Sequence, residues 1–168
     1  MRLFKLAAIS IVIIFIVLTL IGSMFPSNIV VSRAADISQN ADSVKKYIDN
    51  FDQWNNWMEG AKNSDYKVVA KDSAHAYFGT VIITLLSKKN NTWNHEWKSK
   101  SFTQASTFQI IAKNAESCTV QWQFVQHVNW YPWEKIGSIM TDKIIGTSLE
   151  KSLDNLRSLA EKNTTSTQ

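Results

Sequence analysis

The 168-residue chain has one cysteine, two prolines and five glycines. A single thiol excludes an internal disulfide framework, a zinc ribbon and a Cys-x-x-Cys redox site. The chain lacks a strong charge of either sign: 18 Lys and Arg face 14 Asp and Glu. Arg2 and Lys5 precede the first apolar run, so the remainder is nearly balanced and its charges are scattered, which excludes nucleic acid as the partner. No Gly-x-Ser-x-Gly, P-loop or dinucleotide fingerprint is present. No pair of His, Asp or Glu has metal-ligand spacing, so neither a metal nor another cofactor is expected. There is no internal repeat and no low-complexity tract. Aromatic residues, by contrast, are abundant, with seven Trp, eight Phe and four Tyr. That load excludes a disordered chain, and the length suits one domain with a substantial core.

Leu6 to Phe25 reads LAAISIVIIFIVLTLIGSMF, a run without a charge. At about 1.5 Å per residue it reaches about 30 Å, the thickness of a bilayer's hydrocarbon core. Arg2 and Lys5 before it favour a cytoplasmic N-terminus and export of the remaining chain, to the periplasm or outside, as in a bacterial inner-membrane protein. The competing reading is a cleaved signal peptide, whose apolar region is shorter and closely followed by a small-x-small site. Here the nearest such site, Ser32-Arg33-Ala34, lies well beyond the run. Pro26 ends the helix, because it cannot continue the hydrogen-bond ladder. The domain boundaries read from this are 1–26 for the cytoplasmic N-terminus and transmembrane anchor, 27–162 for the exported domain and 163–168 for a disordered polar tail.

Asn28 to Ile37 alternates, with Ile29, Val31, Ala35 and Ile37 on one face and Arg33 the exception there, which reads as a half-buried strand. Asn40 suits a helix N-cap. Val44, Tyr47, Ile48 and Phe51 come next at helical spacing, and 52–58 adds a second turn or two with Trp54 and Trp57. From Asp65 to His127 the pattern is β. The candidate strands are Tyr66–Ala70, Ala76–Leu86, Thr92–Lys100, Gln104–Ala112 and Ser117–Gln126, with polar breaks between most of them. Ala76–Leu86 is apolar on both faces and reads as one strand or two. Short breaks imply antiparallel pairing. A long helix runs from Pro132 to Lys162, with a seam of Ile139, Asp142, Gly146, Leu149, Leu153, Leu156 and Ala160. Ile136, Met140 and Ile144 lie on a face rotated away from the leucines, so the first half of this helix contacts something else or the helix bends.

Two stretches carry a family resemblance. At one end are Phe25-Pro26, the Val30-Val31-Ser32-Arg33 strand and the Trp54-Asn55-Asn56-Trp57 motif; at the other are Thr119-Val120-Gln121-Trp122, then Asp142 and Gly146 ahead of Leu153 and Leu156. Their order resembles the START-like (SRPBCC) superfamily, in its polyketide cyclase/dehydrase and lipid-transport group, over about 27–162. The resemblance implies an α+β helix-grip fold. A curved antiparallel sheet wraps a long C-terminal helix, two short helices follow the first strand, and here one transmembrane helix precedes it. It also implies an apolar cavity for lipids, sterols, polyketides or similar molecules, with a minority of members catalysing cyclisation or dehydration. The middle departs from the pattern: the usual glycine-rich stretch is reduced to Gly60 and Gly79, which leaves strand register between Gly60 and Leu86 open.

Trp93, His95 and Trp97 share one strand face opposite Asn94, Glu96 and Lys98, so they point to the sheet's concave side. Phe108, Trp122 and Phe124 fall on the matching faces of their strands. Together with Gly146 these residues are the expected lining of a ligand cavity; the alternative is that the rings simply fill the core. Gly146 in mid-helix costs about 1 kcal/mol, to be recovered by close approach of a strand or ring, or by ligand space. His95 is a candidate ligand partner or acid–base group, or else a core histidine with structural partners. Asp142 is a weak second catalytic candidate, or a solvated carboxylate, or one paired with a lysine. His75 and His127 fall near strand ends, at the surface, and Cys118 reads as a small buried residue. Trp130, Tyr131 and Trp133 form a gate, a membrane contact, or packing against the sheet edge or Trp54 and Trp57. The leading functional expectation is membrane-tethered binding or transfer of a hydrophobic small molecule or lipid. The alternatives are a cyclase- or dehydratase-type enzyme using His95 and Asp142, and an envelope scaffold that binds another protein.

Overall fold

A computed structural model describes residues 2–24, 26–61 and 66–165, without the side chains of Pro132, Ile136, Ser138, Ile139, Thr141 and 163–165. Phe25, Asp65 and the last residues of the expected tail, 166–168, lie outside the described residues. Helix α1 covers Arg2–Ser23 and is long and apolar enough to cross a membrane. Strand β1, Asn28–Ile37, buries Val31 and Ile37 as the alternation requires. Two short helices come after it, α2 at Ala41–Asp49 and α3 at Phe51–Trp57. Asn40 caps α2 by accepting from the Ser43 backbone N–H at 2.8 Å. Asn50 caps α3 in the same way, accepting from Asp52 N–H at 2.9 Å. Phe51 therefore belongs to α3, not to the helix of Val44 and Ile48. The side-chain cap at Asn50 breaks the chain where the helical spacing runs on unbroken.

Six more strands complete the sheet: β2 Val68–Ala70, β3 His75–Phe78, β4 Val81–Lys89, β5 Thr92–Lys98, β6 Thr103–Ala112 and β7 Cys118–His127. Helix α4, Pro132–Thr165, closes the fold and continues past Lys162. All seven strands pair antiparallel in the order β1-β7-β6-β5-β4-β3-β2. The apolar stretch 76–86 is two strands. Gly79 turns between them at φ +58, and Phe78 pairs with Val81 across the turn. The β4–β5 hairpin turns on Asn90 and Asn91, both at positive φ, the conformation of a two-residue type I′ loop. A bulge between Leu85 and Ser87 bends β4. The fold is the helix grip, with α4 lying along β1 and α3 wedged between α4 and the sheet.

The register lines up inward side chains across strands. Trp93 pairs with Phe108, Phe108 with Trp122, and Trp122 with Arg33. One row of the concave face thus holds three aromatics and ends on an arginine at the edge strand. On α4, Leu149, Leu153, Leu156 and Ala160 are buried against this core, whereas Met140 and Ile144 are exposed.

Candidate functional site

Trp54 on α3 is the centre of the core. Its ring lies 5.0 Å from Phe51, 5.5 Å from Trp57, 5.4 Å from His95 and 5.5 Å from Phe108, with Trp97 and Trp122 slightly farther. Phe108 and Trp122 stack at 4.4 Å. Edge and offset contacts of this kind are favoured by the ring quadrupoles and leave little free volume. At the α2–α3 end of the grip, the aromatics fill the core.

Toward the other end they do not. A cleft of about 260 Å³ is lined by Phe78, Val81, Trp97, Gln104, Trp122 and Phe124 of the sheet, by Phe102, by Met58 and Glu59 after α3, and by Ile144, Ile145, Ser148 and Leu149 of α4. Its lining is predominantly apolar. Phe102 is shared with a second depression of about 400 Å³, which is mainly polar and includes Gln126, His127, Asn129 and Glu134.

The buried tryptophans differ in one respect. The indole N–H of Trp54 donates to the Ile48 carbonyl at 3.0 Å and that of Trp57 to the Tyr47 carbonyl at 3.1 Å. Trp93 donates to the Asp49 carboxylate at 2.6 Å, and Trp97 to the Ser106 hydroxyl at 2.8 Å. The Trp122 ring lines the cleft, but its indole N–H is buried and has no partner. Leaving a buried donor unpaired costs about 1–3 kcal/mol, so such groups are exceptions that call for a reason.

The structure separates the residues that the sequence groups together. Trp97, Trp122 and Phe124 line the cleft. Trp93, His95 and Phe108 lie in the packed core and line neither depression. His95 is 2% exposed among Phe51, Trp54 and Phe108, and its Nδ1 has no partner. Desolvation pushes its pKa down to about 4, so the ring is neutral near pH 7. Gly146 faces neither a ring nor the cleft. A Cβ there would meet the guanidinium of Arg33, with Cζ at 2.8 Å. Arg33, the polar exception on the inward face of β1, therefore occupies the space that the glycine leaves. Its Nη1 donates to the Asp142 carboxylate at 3.5 Å. The Asp142 side chain is 57% exposed and does not converge with His95 on a cavity, because its arginine partner holds it at the β1 edge. Ile139 of the expected seam lies outside the described side chains. Cys118 is buried, which raises its thiol pKa and disfavours a reactive thiolate. Among the described residues, no group of three or more His, Cys, Asp or Glu stands together to hold a metal.

Trp130 packs tilted against Tyr131 at 4.7 Å and Tyr131 stacks on Trp133 at 5.0 Å, away from Trp54 and Trp57. No local sequence signal marks the unpaired Trp122 donor, because its surroundings are assembled from strands and helices distant in the chain.

No family model matches the chain, and no curated protein matches it. Solved structures do. A START-superfamily protein from Mycobacterium smegmatis aligns at 16% identity with a TM-score of 0.59, over 79% of this chain and 97% of that one. Norcoclaurine synthase from Thalictrum flavum, in complex with dopamine and hydroxybenzaldehyde, aligns at 11% identity and TM-score 0.62, over 84% of this chain and 91% of that one. The Zhui aromatase/cyclase from a Streptomyces species aligns at 8% identity and TM-score 0.59, over 82% and 96%. The domain thus has the START helix-grip fold. At such identities the likeness is one of fold alone, and function has to be argued from the site.

Proposed function

We propose that this chain is a membrane-tethered domain that binds a small hydrophobic molecule in the cleft between the sheet and α4. The observation that carries the reading is the apolar cleft wall of Trp97, Trp122, Phe124 and Leu149 between the sheet and α4. An apolar pocket with few placed polar groups is the usual form of a small-molecule site. At about 260 Å³ the volume falls just below the usual lower end of such sites, roughly 300 Å³, so the ligand is compact. A small aromatic or short acyl molecule matches the lining. The structural neighbours support this class: norcoclaurine synthase holds dopamine and hydroxybenzaldehyde, both small aromatics with oxygen substituents. Helix α1 supplies the tether, with Arg2 and Lys5 retaining the N-terminus in the cytoplasm and the domain exported.

The test is a titration of the full chain, in detergent micelles and labelled on its indole nitrogens, with 2-naphthol and with naphthalene as probes. The Trp122 indole signal is expected to move saturably with both probes, because its ring lines the cleft. Ser148→Trp, which fills the cleft, should abolish the shift while preserving circular dichroism. No saturable shift with either probe, or a shift that survives Ser148→Trp, would overturn the reading.

A further inference from the structure

Among the described side chains, three apolar residues in the first turns of α4 face outward. Trp133, Met140 and Ile144 are 61%, 56% and 66% exposed. Their spacings of seven and four bring them onto one stripe of a helix with 3.6 residues per turn, about 16 Å long. Trp130 and Tyr131, also exposed, extend the stripe at its N-terminal end, Tyr131 stacking on Trp133 and Trp130 packing tilted against Tyr131. A helix that needed only the core would put these side chains where Leu149, Leu153 and Leu156 are.

The location of the stripe says what covers it. The Val128 backbone N–H donates to the Ser27 carbonyl at 2.7 Å, and Lys135 Nζ donates to the Ser27 hydroxyl at 3.0 Å. Ser27 is four residues beyond Ser23, the end of α1. Four residues span at most about 14 Å. Helix α1 also touches α4, and its Gly22 is buried. If α1 crosses a bilayer, the Trp130–Trp133 cluster stands at headgroup depth, where Trp and Tyr are favoured and where an amphipathic helix lies in the plane of the interface. At its other end the stripe reaches Ile144, which is also on the cleft wall.

We propose that Trp130, Tyr131, Trp133, Met140 and Ile144 form a membrane-docking surface, seated on the same bilayer that α1 spans. This places the rim of the cleft at the lipid surface and makes the ligand a molecule partitioned into that bilayer. The inference rests on the tether and the cleft proposed above.

The experiment is quenching of tryptophan emission in the full chain, reconstituted into phosphatidylcholine vesicles whose acyl chains carry bromine near the headgroup. The buried tryptophans, 54, 57, 93, 97 and 122, give the background. Bromine is expected to quench part of the emission, and Trp130→Phe with Trp133→Phe should remove most of the quenched fraction. Retention in membranes after alkaline carbonate washing reports separately on α1. A retained chain whose quenching is unchanged by the double substitution would overturn the docking surface and leave the tether standing. A chain released by carbonate would overturn both. Absent quenching together with cross-linking between copies through Met140→Cys would assign the stripe to a second copy and overturn the proposal. Loss of 2-naphthol binding alone would fault only the cleft.

Discussion

The two halves of α4 face different surroundings. From Gly146 onward the helix behaves as a core element, burying Leu149, Leu153, Leu156 and Ala160 against the grip. Before Gly146 it carries comparable apolar residues, Trp133, Met140 and Ile144, on its exposed side. The space beneath the helix divides in the same way: the part under α3 is filled by Trp54 and its neighbours, and the part beside 144–149 is open. Apolar residues in one helix thus serve two purposes, and burial separates them where composition does not. The wide aromatic supply does not measure cavity size, because the short helix α3 inserts two tryptophans into the grip and consumes the volume that a ligand would take.

The largest effect should come from the filled end. Trp54 is fully buried and touches six other aromatic rings, including the His95 imidazole. Trp54→Ala should cost about 3–5 kcal/mol in denaturant unfolding of the full chain, since the rigid rings around it cannot collapse into the gap. Phe124→Ala on the cleft wall removes a ring with open space on one side, so a smaller loss than at Trp54 is expected. Equal costs at the two positions would break the distinction between a filled and an open end.

His95 gives a second test of the filled end, through pH. Its pKa falls from an ordinary 6.5 to about 4 because burial disfavours the charged ring. Between those values the unfolded chain takes up a proton that the native state refuses. Stability from this group is therefore complete above about pH 6.5, declines as the pH falls to about 4, and declines no further below. The loss amounts to about 3 kcal/mol. Denaturant midpoints measured from pH 7 to 4 should show a steeper decline for the native chain than for His95→Gln, the carboxylates being common to both. Parallel profiles would mean that water reaches the imidazole and that the filled end is less dry than its packing implies.

Much of the fold is written locally. The alternation in 28–37 defines β1 to the residue, Asn40 announces α2, and Pro132 starts α4, because each signal is a matter of neighbours in the chain. The inward faces of β5, β6 and β7 are equally legible, since a period of two fixes them. The division of those inward residues into packed and cleft-lining is not. Trp93, His95 and Phe108 meet α2 and α3, whereas Trp97 and Trp122, which also touch Trp54, line the cleft beside α4 together with Phe124, and no local pattern records which helix arrives over which strand. The cap at Asn50 and the pairing of Arg33 with Asp142 are hidden for related reasons. The first is a side-chain choice within a continuous helical spacing, and the second joins residues 109 positions apart.

Gly146 sits at the boundary between the halves and gives the smallest and most discriminating effect. Alanine in a helix interior is worth about 1 kcal/mol over glycine. Here the added methyl would strike the Arg33 guanidinium, which also donates to the Ser32 carbonyl at 2.9 Å and pairs with Asp142. The guanidinium is the far end of a flexible side chain and can withdraw, but only by giving up those contacts. Gly146→Ala should therefore be destabilising by less than about 1 kcal/mol with Arg33 in place, the displaced contacts outweighing the helix gain. In an Arg33→Ala background the same substitution should stabilise by about 1 kcal/mol, and the double-mutant cycle measures the difference. Equal effects in both backgrounds would show that Arg33 does not hold this position. The glycine would then belong to the open half, and the cleft would extend further along α4 toward β1.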